Sequence, residues 1–301
     1  RELRRRPEAR VRTPPAMTNA SPAPLLPSGG RTRANSLYFL LAMDVLIMPL
    51  CMAGYFAQAA FLEQPVPAAF VERPPPPAAV LLLQAVLAAV ALAVLLRHVF
   101  ATPPGPEDEV LSNVMSRIGR WIFLTRHCLA LQTIHLTASL VAGVWGLPRL
   151  TRLTEGAAVW IGSLGWFVTI QFFSLVWPHP DFKQRCKDAA EQVPPVNLAM
   201  QAAVVHAPAI FLAILDLSLA KDQATMVAGC SVVKTLQMSE FYAVFYVVLL
   251  AVNRRATGYW PYPFMNAFSL RGWATFFVVQ SCLMAVFVLG ERCASLAPLM
   301  A

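Results

Sequence analysis

Charge is scarce in this chain. Only 13% of its 301 residues are Asp, Glu, Lys or Arg, where a soluble domain carries about a quarter. Several runs of 17 or more residues contain no charge at all, 57% of the residues are hydrophobic, and mean hydropathy is +0.56. Runs of that length argue against a soluble domain, because ~20 apolar residues at 1.5 Å each match a ~30 Å hydrocarbon core. The six cysteines are scattered with no C-x-x-C spacing, which argues against a structural zinc site or a disulfide framework. There is no H-E-x-x-H, and Gly29–Gly30 has no phosphate-loop context; no metal or cofactor is implied. The net charge of +8 is not matched by a basic domain interleaved with aromatics, so no nucleic-acid partner is expected.

What is present is a polytopic, all-α membrane protein. Residues 1–34 hold eight of the 24 Lys and Arg, many Pro and small residues, and no apolar period; a disordered basic tail is expected there. Met17 lies inside this stretch, and Glu2 and Glu8 set it apart from acid-poor transit peptides. Seven apolar segments follow, at about 36–62, 78–100, 121–147, 156–177, 196–220, 226–252 and 272–290. The organisation expected is two N-terminal spans within 35–105 and a multipass core over 106–301. With the N-terminus inside, the inner loops carry nine Lys and Arg and the outer connections six, and the tail adds eight more. Glycosylation tags should therefore report the two termini on opposite sides of the membrane; both on one side would favour six spans.

The third segment is more polar than an anchor needs. Thr125, Cys128, Gln132, His135 and Ser139 are spaced three, four, three and four apart, which puts them within roughly 80° of one helix face. Polar groups collected in one stripe face a neighbouring helix or a cavity, since facing lipid is costly.

A hydroxyl nucleophile needs a base within hydrogen-bond reach. His127 points about 200° away from Thr125, and His135 is ~15 Å further along the axis. The base must come from another helix, where His98 and His206 are available. His98 follows Arg97 and is expected at the interface. His206 lies on a face with Ala199, Ala202, Ala203, Ala209 and Ala213, beside Pro208. Small residues allow close helix approach, and proline opens the helix locally. Thr125 and His206 are expected within roughly 3–6 Å of each other. Asp44 and Asp216 are either functional or paired structural groups, and Arg126 is expected to snorkel to the interface. Left to residue chemistry alone, a Thr–His hydrolase competes with a transporter or receptor working through Asp44 and Asp216. The seventh segment holds no Lys, against a retinal-binding rhodopsin.

Four stretches carry a resemblance. RWIFLT (Arg120 to Thr125), NLAMQAAVVHAPAIF (Asn197 to Phe211), TGYWPYPF (Thr257 to Phe264) and LGE (Leu289 to Glu291) occur in that order. Together, over about 119–293, they resemble the androgen-induced protein family. The resemblance implies a multipass hydrolase of fatty acid esters of hydroxy fatty acids, acting in an endoplasmic-reticulum or plasma membrane on lipid esters drawn from the bilayer. It also implies an intramembrane threonine and histidine as catalytic residues, which fall on Thr125 and His206. The family's helix usually carries H-x-x-H, and Ala203 stands here at the first position; an inactive lipid-binding scaffold is the alternative this raises. The sequence does not identify the oxyanion donors, for which Gln132 and Trp260 are the candidates.

Overall fold

A computed structural model describes residues 33–64, 76–100, 118–180, 198–222 and 230–258, most of 260–300, and scattered positions between 182 and 187 and at 224 and 226. The basic tail expected over 1–34 lies almost entirely outside these residues. The described residues form helices and no strand. They are α1 (Arg33–Leu62), α2 (Ala78–Phe100), α3 (Leu124–Trp145), α4 (Pro148–Gln171), α5 (Leu198–His206), α6 (Pro208–Leu215), α7 (Val232–Thr257) and α8 (Leu270–Met300). Among the described residues, seven spans are long and apolar enough to cross a membrane, α5 and α6 forming one of them. This is a multipass membrane protein.

The polar stripe accounts for the position of α3, which has the largest buried share of any span. It packs against α2, α4 and α1. Its polar groups are buried, and neighbouring helices bond several of them: Gln132 Nε2 donates to Ala209 O at 2.9 Å, and His135 bonds Tyr55 and Asp216. A bare apolar helix would have no reason to take the centre, because lipid solvates it as well as protein does.

Several segment boundaries differ from the sequence reading, and the last helix runs on to Met300 rather than ending near 290. The fourth span starts at Pro148 rather than near 156. Pro148 sits at the first helical turn, where its missing N–H costs nothing. The charges beyond it are accommodated near the helix start, with Arg152 Nε donating to Glu63 Oε1 at 3.2 Å. The sixth span starts at Val232 rather than 226, because Ser231 caps it by accepting from Lys234 N. It ends at Gly258, whose φ of 82° is the left-handed geometry of a helix C-cap.

Where α4 closes on α6, the space belongs to Gly165. A Cβ there would lie 2.8 Å from Ala209 O and 2.5 Å from Gln132 Nε2. The carbonyl is backbone and cannot swing aside. Gly165→Ala should therefore separate α4 from α6 and cost about 1–3 kcal/mol, read as a lower thermal midpoint in detergent. An unchanged midpoint would show that the two helices slide without cost.

Candidate active site

Thr125 is the second residue of α3, at the membrane end where a short 3-10 turn, Gly119–Ile122, leads in. That turn is held by aromatic hydroxyls. Tyr246 donates to Ile122 O at 2.8 Å and accepts from Leu124 N at 2.9 Å, with Tyr262 3.1 Å away. Tyr262 lies between spans, and burial holds its phenol above the usual range, so it stays a protonated donor. The first turn of a helix carries the positive end of the helix dipole. Thr125 sits in that first turn.

Most hydroxyls in this bundle bond back to their own helix. Thr133, Ser139, Ser163, Thr235 and Ser239 each donate to the carbonyl four residues earlier. Thr125 departs from that pattern: its Oγ1 lies 2.9 Å from His206 Nε2. The other imidazole nitrogen, Nδ1, is 2.7 Å from Ala202 O. A carbonyl only accepts, so Nδ1 carries the proton and Nε2 presents its lone pair to the threonine O–H.

His206 is fixed from three directions. It is the last residue of α5, followed by Ala207 and Pro208. Proline has no N–H to give the carbonyl of Val204, which interrupts the helix at this point. From α4, Thr169 Oγ1 donates to His206 O at 2.8 Å, and the Phe172 ring stacks on the imidazole at 3.5 Å and 9°. Phe172 opens a π-helical turn, Phe172–Val176, a wider coil of the kind found beside functional sites. Neither Phe172 nor Thr169 had a signal in the sequence, and neither did Tyr246. Tyr262 did, as part of the TGYWPYPF stretch.

The pair faces a cavity of about 530 Å³ between α4, α7 and α8. Its wall is mainly aromatic and aliphatic, with Trp260, Tyr262, Trp273 and Phe276 prominent. That is a fit for a hydrocarbon chain.

The other sequence candidates fall elsewhere. His127 is turned away and bonds Tyr242 Oη at 2.8 Å and Trp121 O at 2.6 Å. His135 is on the stripe but does not line the cavity, and the side chain of His98 lies outside the described residues. Gln132 is engaged by Ala209 O, whereas Trp260 lines the cavity. Arg126 corrects the snorkelling expectation: it is 2% exposed and ion-paired with Asp44 of α1. Trp121 explains how. Its ring covers the guanidinium at 5.2 Å and its Nε1 donates to the same Asp44 carboxylate at 2.9 Å. A counter-ion delivered by a distant helix makes burial tolerable.

A bundle of seven candidate spans, with a threonine and a histidine joined over an apolar cavity, defines the class as a multipass membrane protein with a lipid-sized interior site. The profile of the FAR-17a/AIG1-like protein family matches residues 82–295, and the chain belongs to that family. This is the androgen-induced protein family indicated by the four motifs. No curated protein and no solved structure matches the chain. The match opens within α2, so α1 precedes it. That helix contributes Asp44 to Arg126 and Tyr55 to His135.

Proposed function

We propose that this protein is an intramembrane esterase for fatty acid esters of hydroxy fatty acids, with Thr125 as nucleophile and His206 as general base. The observation that carries the reading is the 2.9 Å Oγ1–Nε2 contact, with Nδ1 held on Ala202 O. That is the nucleophile, base and orienting acceptor of covalent catalysis, at the mutual distances it requires.

The chemistry runs in two halves. Oγ1 attacks the ester carbonyl while Nε2 takes its proton. The tetrahedral oxyanion forms beside the first turn of α3, where the positive end of the helix dipole favours negative charge. His206 returns the proton to the departing alkoxide, which leaves as the hydroxy acid, and an acyl-threonine remains. Water then adds with His206 again as base, releasing the fatty acid and restoring the threonine. The lipid enters from the bilayer, in an endoplasmic-reticulum or plasma membrane. Ala203 carries no functional group, so the family's first histidine takes no part in this cycle. Pairing of Asp44 with Arg126, and of Asp216 with His135, supports the enzyme over a transporter, because it gives both acids a structural role.

The test is labelling of the purified protein by a fluorophosphonate probe together with release of fatty acid from such an ester. Labelling and turnover that both vanish in Thr125→Ala support the reading; hydrolysis that survives the substitution ends it.

A further inference from the structure

The cavity has two chemically different ends, and they bear on how a substrate must lie. One end is at Trp260, on the loop that follows α7. Arg254 covers this ring at 5.8 Å and donates to Gly258 O, and it is exposed. The other end lies deep along α7 at Glu240. From Glu240 to Ala251, which also lines the cavity, eleven residues of helix cover ~16 Å.

Glu240 is the acidic group in this wall, and among the described lining residues there is no Lys or Arg. Ser281 of α8 donates to its Oε2 at 2.8 Å. Oε1 has no hydrogen bond from the described residues, and Glu240 lines the cavity with that acceptor unengaged. Thr125 lies between the two ends, since its neighbour Leu124 is bonded by Tyr246, six residues or ~9 Å along α7 from Glu240.

We infer that Glu240, supported by Ser281, makes the deep end of the cavity selective against a carboxylate and receptive to a neutral chain or one ending in a hydroxyl. The substrate is thereby oriented. The free carboxylate of a hydroxy-acid ester stays at the Trp260 end beside Arg254, and the second chain runs past Thr125 toward Glu240. An anion pushed to the deep end meets a like charge in a poorly solvated space and no cation to offset it. A hydroxyl there donates to Oε1. This inference takes the esterase reading for its substrate class, but charge selection at the deep end is a matter of binding and does not require turnover.

The experiment uses ether analogues that cannot be hydrolysed. All keep the carboxylate head and differ only at the far end of an octyl chain, as methyl, hydroxyl or carboxylate. A dicarboxylate puts one anion at the deep end whichever way it lies. Binding is read by displacement of a fluorescent alkyl probe from the purified protein in detergent. The methyl and hydroxyl analogues should displace the probe, and the dicarboxylate at least ~10-fold more weakly. Glu240→Gln should remove that gap while leaving the methyl analogue unchanged, and Glu240→Asp should retain it. Equal displacement by all three in the wild type, a gap that survives Glu240→Gln, or no displacement by any analogue overturns the inference. Loss of esterase turnover with the displacement pattern intact would instead count against the esterase reading alone.

Discussion

Thr125→Ala should abolish ester hydrolysis and fluorophosphonate labelling while the protein still folds. Among the described residues the side chain has one polar contact, to His206, and it borders a cavity, so losing a hydroxyl and a methyl costs at most about 1–2 kcal/mol. Turnover has no other nucleophile at this position. Thr125→Ser keeps the hydroxyl and should keep labelling. His206→Ala should lower kcat by ~10²–10⁴-fold, the usual contribution of a positioned base. The informative control is His127→Ala. His127 is two residues from Thr125 but bonds Tyr242 and Trp121 on another side of the helix, so activity should persist. Wild-type turnover in purified Thr125→Ala, or equal loss in His127→Ala and His206→Ala, would remove the pairing from consideration.

The second large effect is on stability. Asp216 is 4% exposed, at the start of a π-helical turn after α6. It accepts from His135 Nε2 at 3.0 Å and lies 4.0 Å from Lys221 Nζ. With Nε2 donating, His135 Nδ1 accepts from Tyr55 Oη at 2.9 Å. Lys221, 7% exposed, also donates to Ser139 Oγ at 2.6 Å. Asp216→Ala strands a buried ammonium and an imidazole N–H, a loss of about 3–5 kcal/mol. Against a total stability of about 5–15 kcal/mol, that should collapse the yield of folded protein and lower its thermal midpoint in detergent. Asp216→Leu combined with Lys221→Met removes both charges and should recover most of the loss. If Asp216→Ala melts like the wild type, the cluster holds nothing together.

The polar stripe of α3 shows where sequence reasoning reached and where it stopped. Spacing alone puts Thr125, Cys128, Gln132, His135 and Ser139 on one face and predicts that face buried, as it is. Only Thr125 of the five lines the cavity. Gln132, His135 and Ser139 are taken up by Ala209, Tyr55, Asp216 and Lys221, partners that lie outside α3, and Cys128 packs in the apolar core. Arg126 carried the opposite lesson. An arginine one turn inside a span reads as interfacial until a carboxylate 82 positions earlier is placed against it.

The residues by themselves determined the all-α membrane class, the seven apolar segments and the family, because burial in hydrocarbon demands long uncharged helices and leaves that demand visible in composition. They also nominated Thr125 and His206, through helix periodicity, a proline break and four motifs. The helix starts at Pro148 and Val232 came only with the structure, since a helix begins where its first turn is satisfied. So did the orientation of the imidazole. Its tautomer depends on Ala202 O one helical turn earlier, and its ring plane on Phe172, a contact between spans that no periodicity encodes. A cavity is likewise a property of three helices failing to fill the space between them, and only their packing decides that.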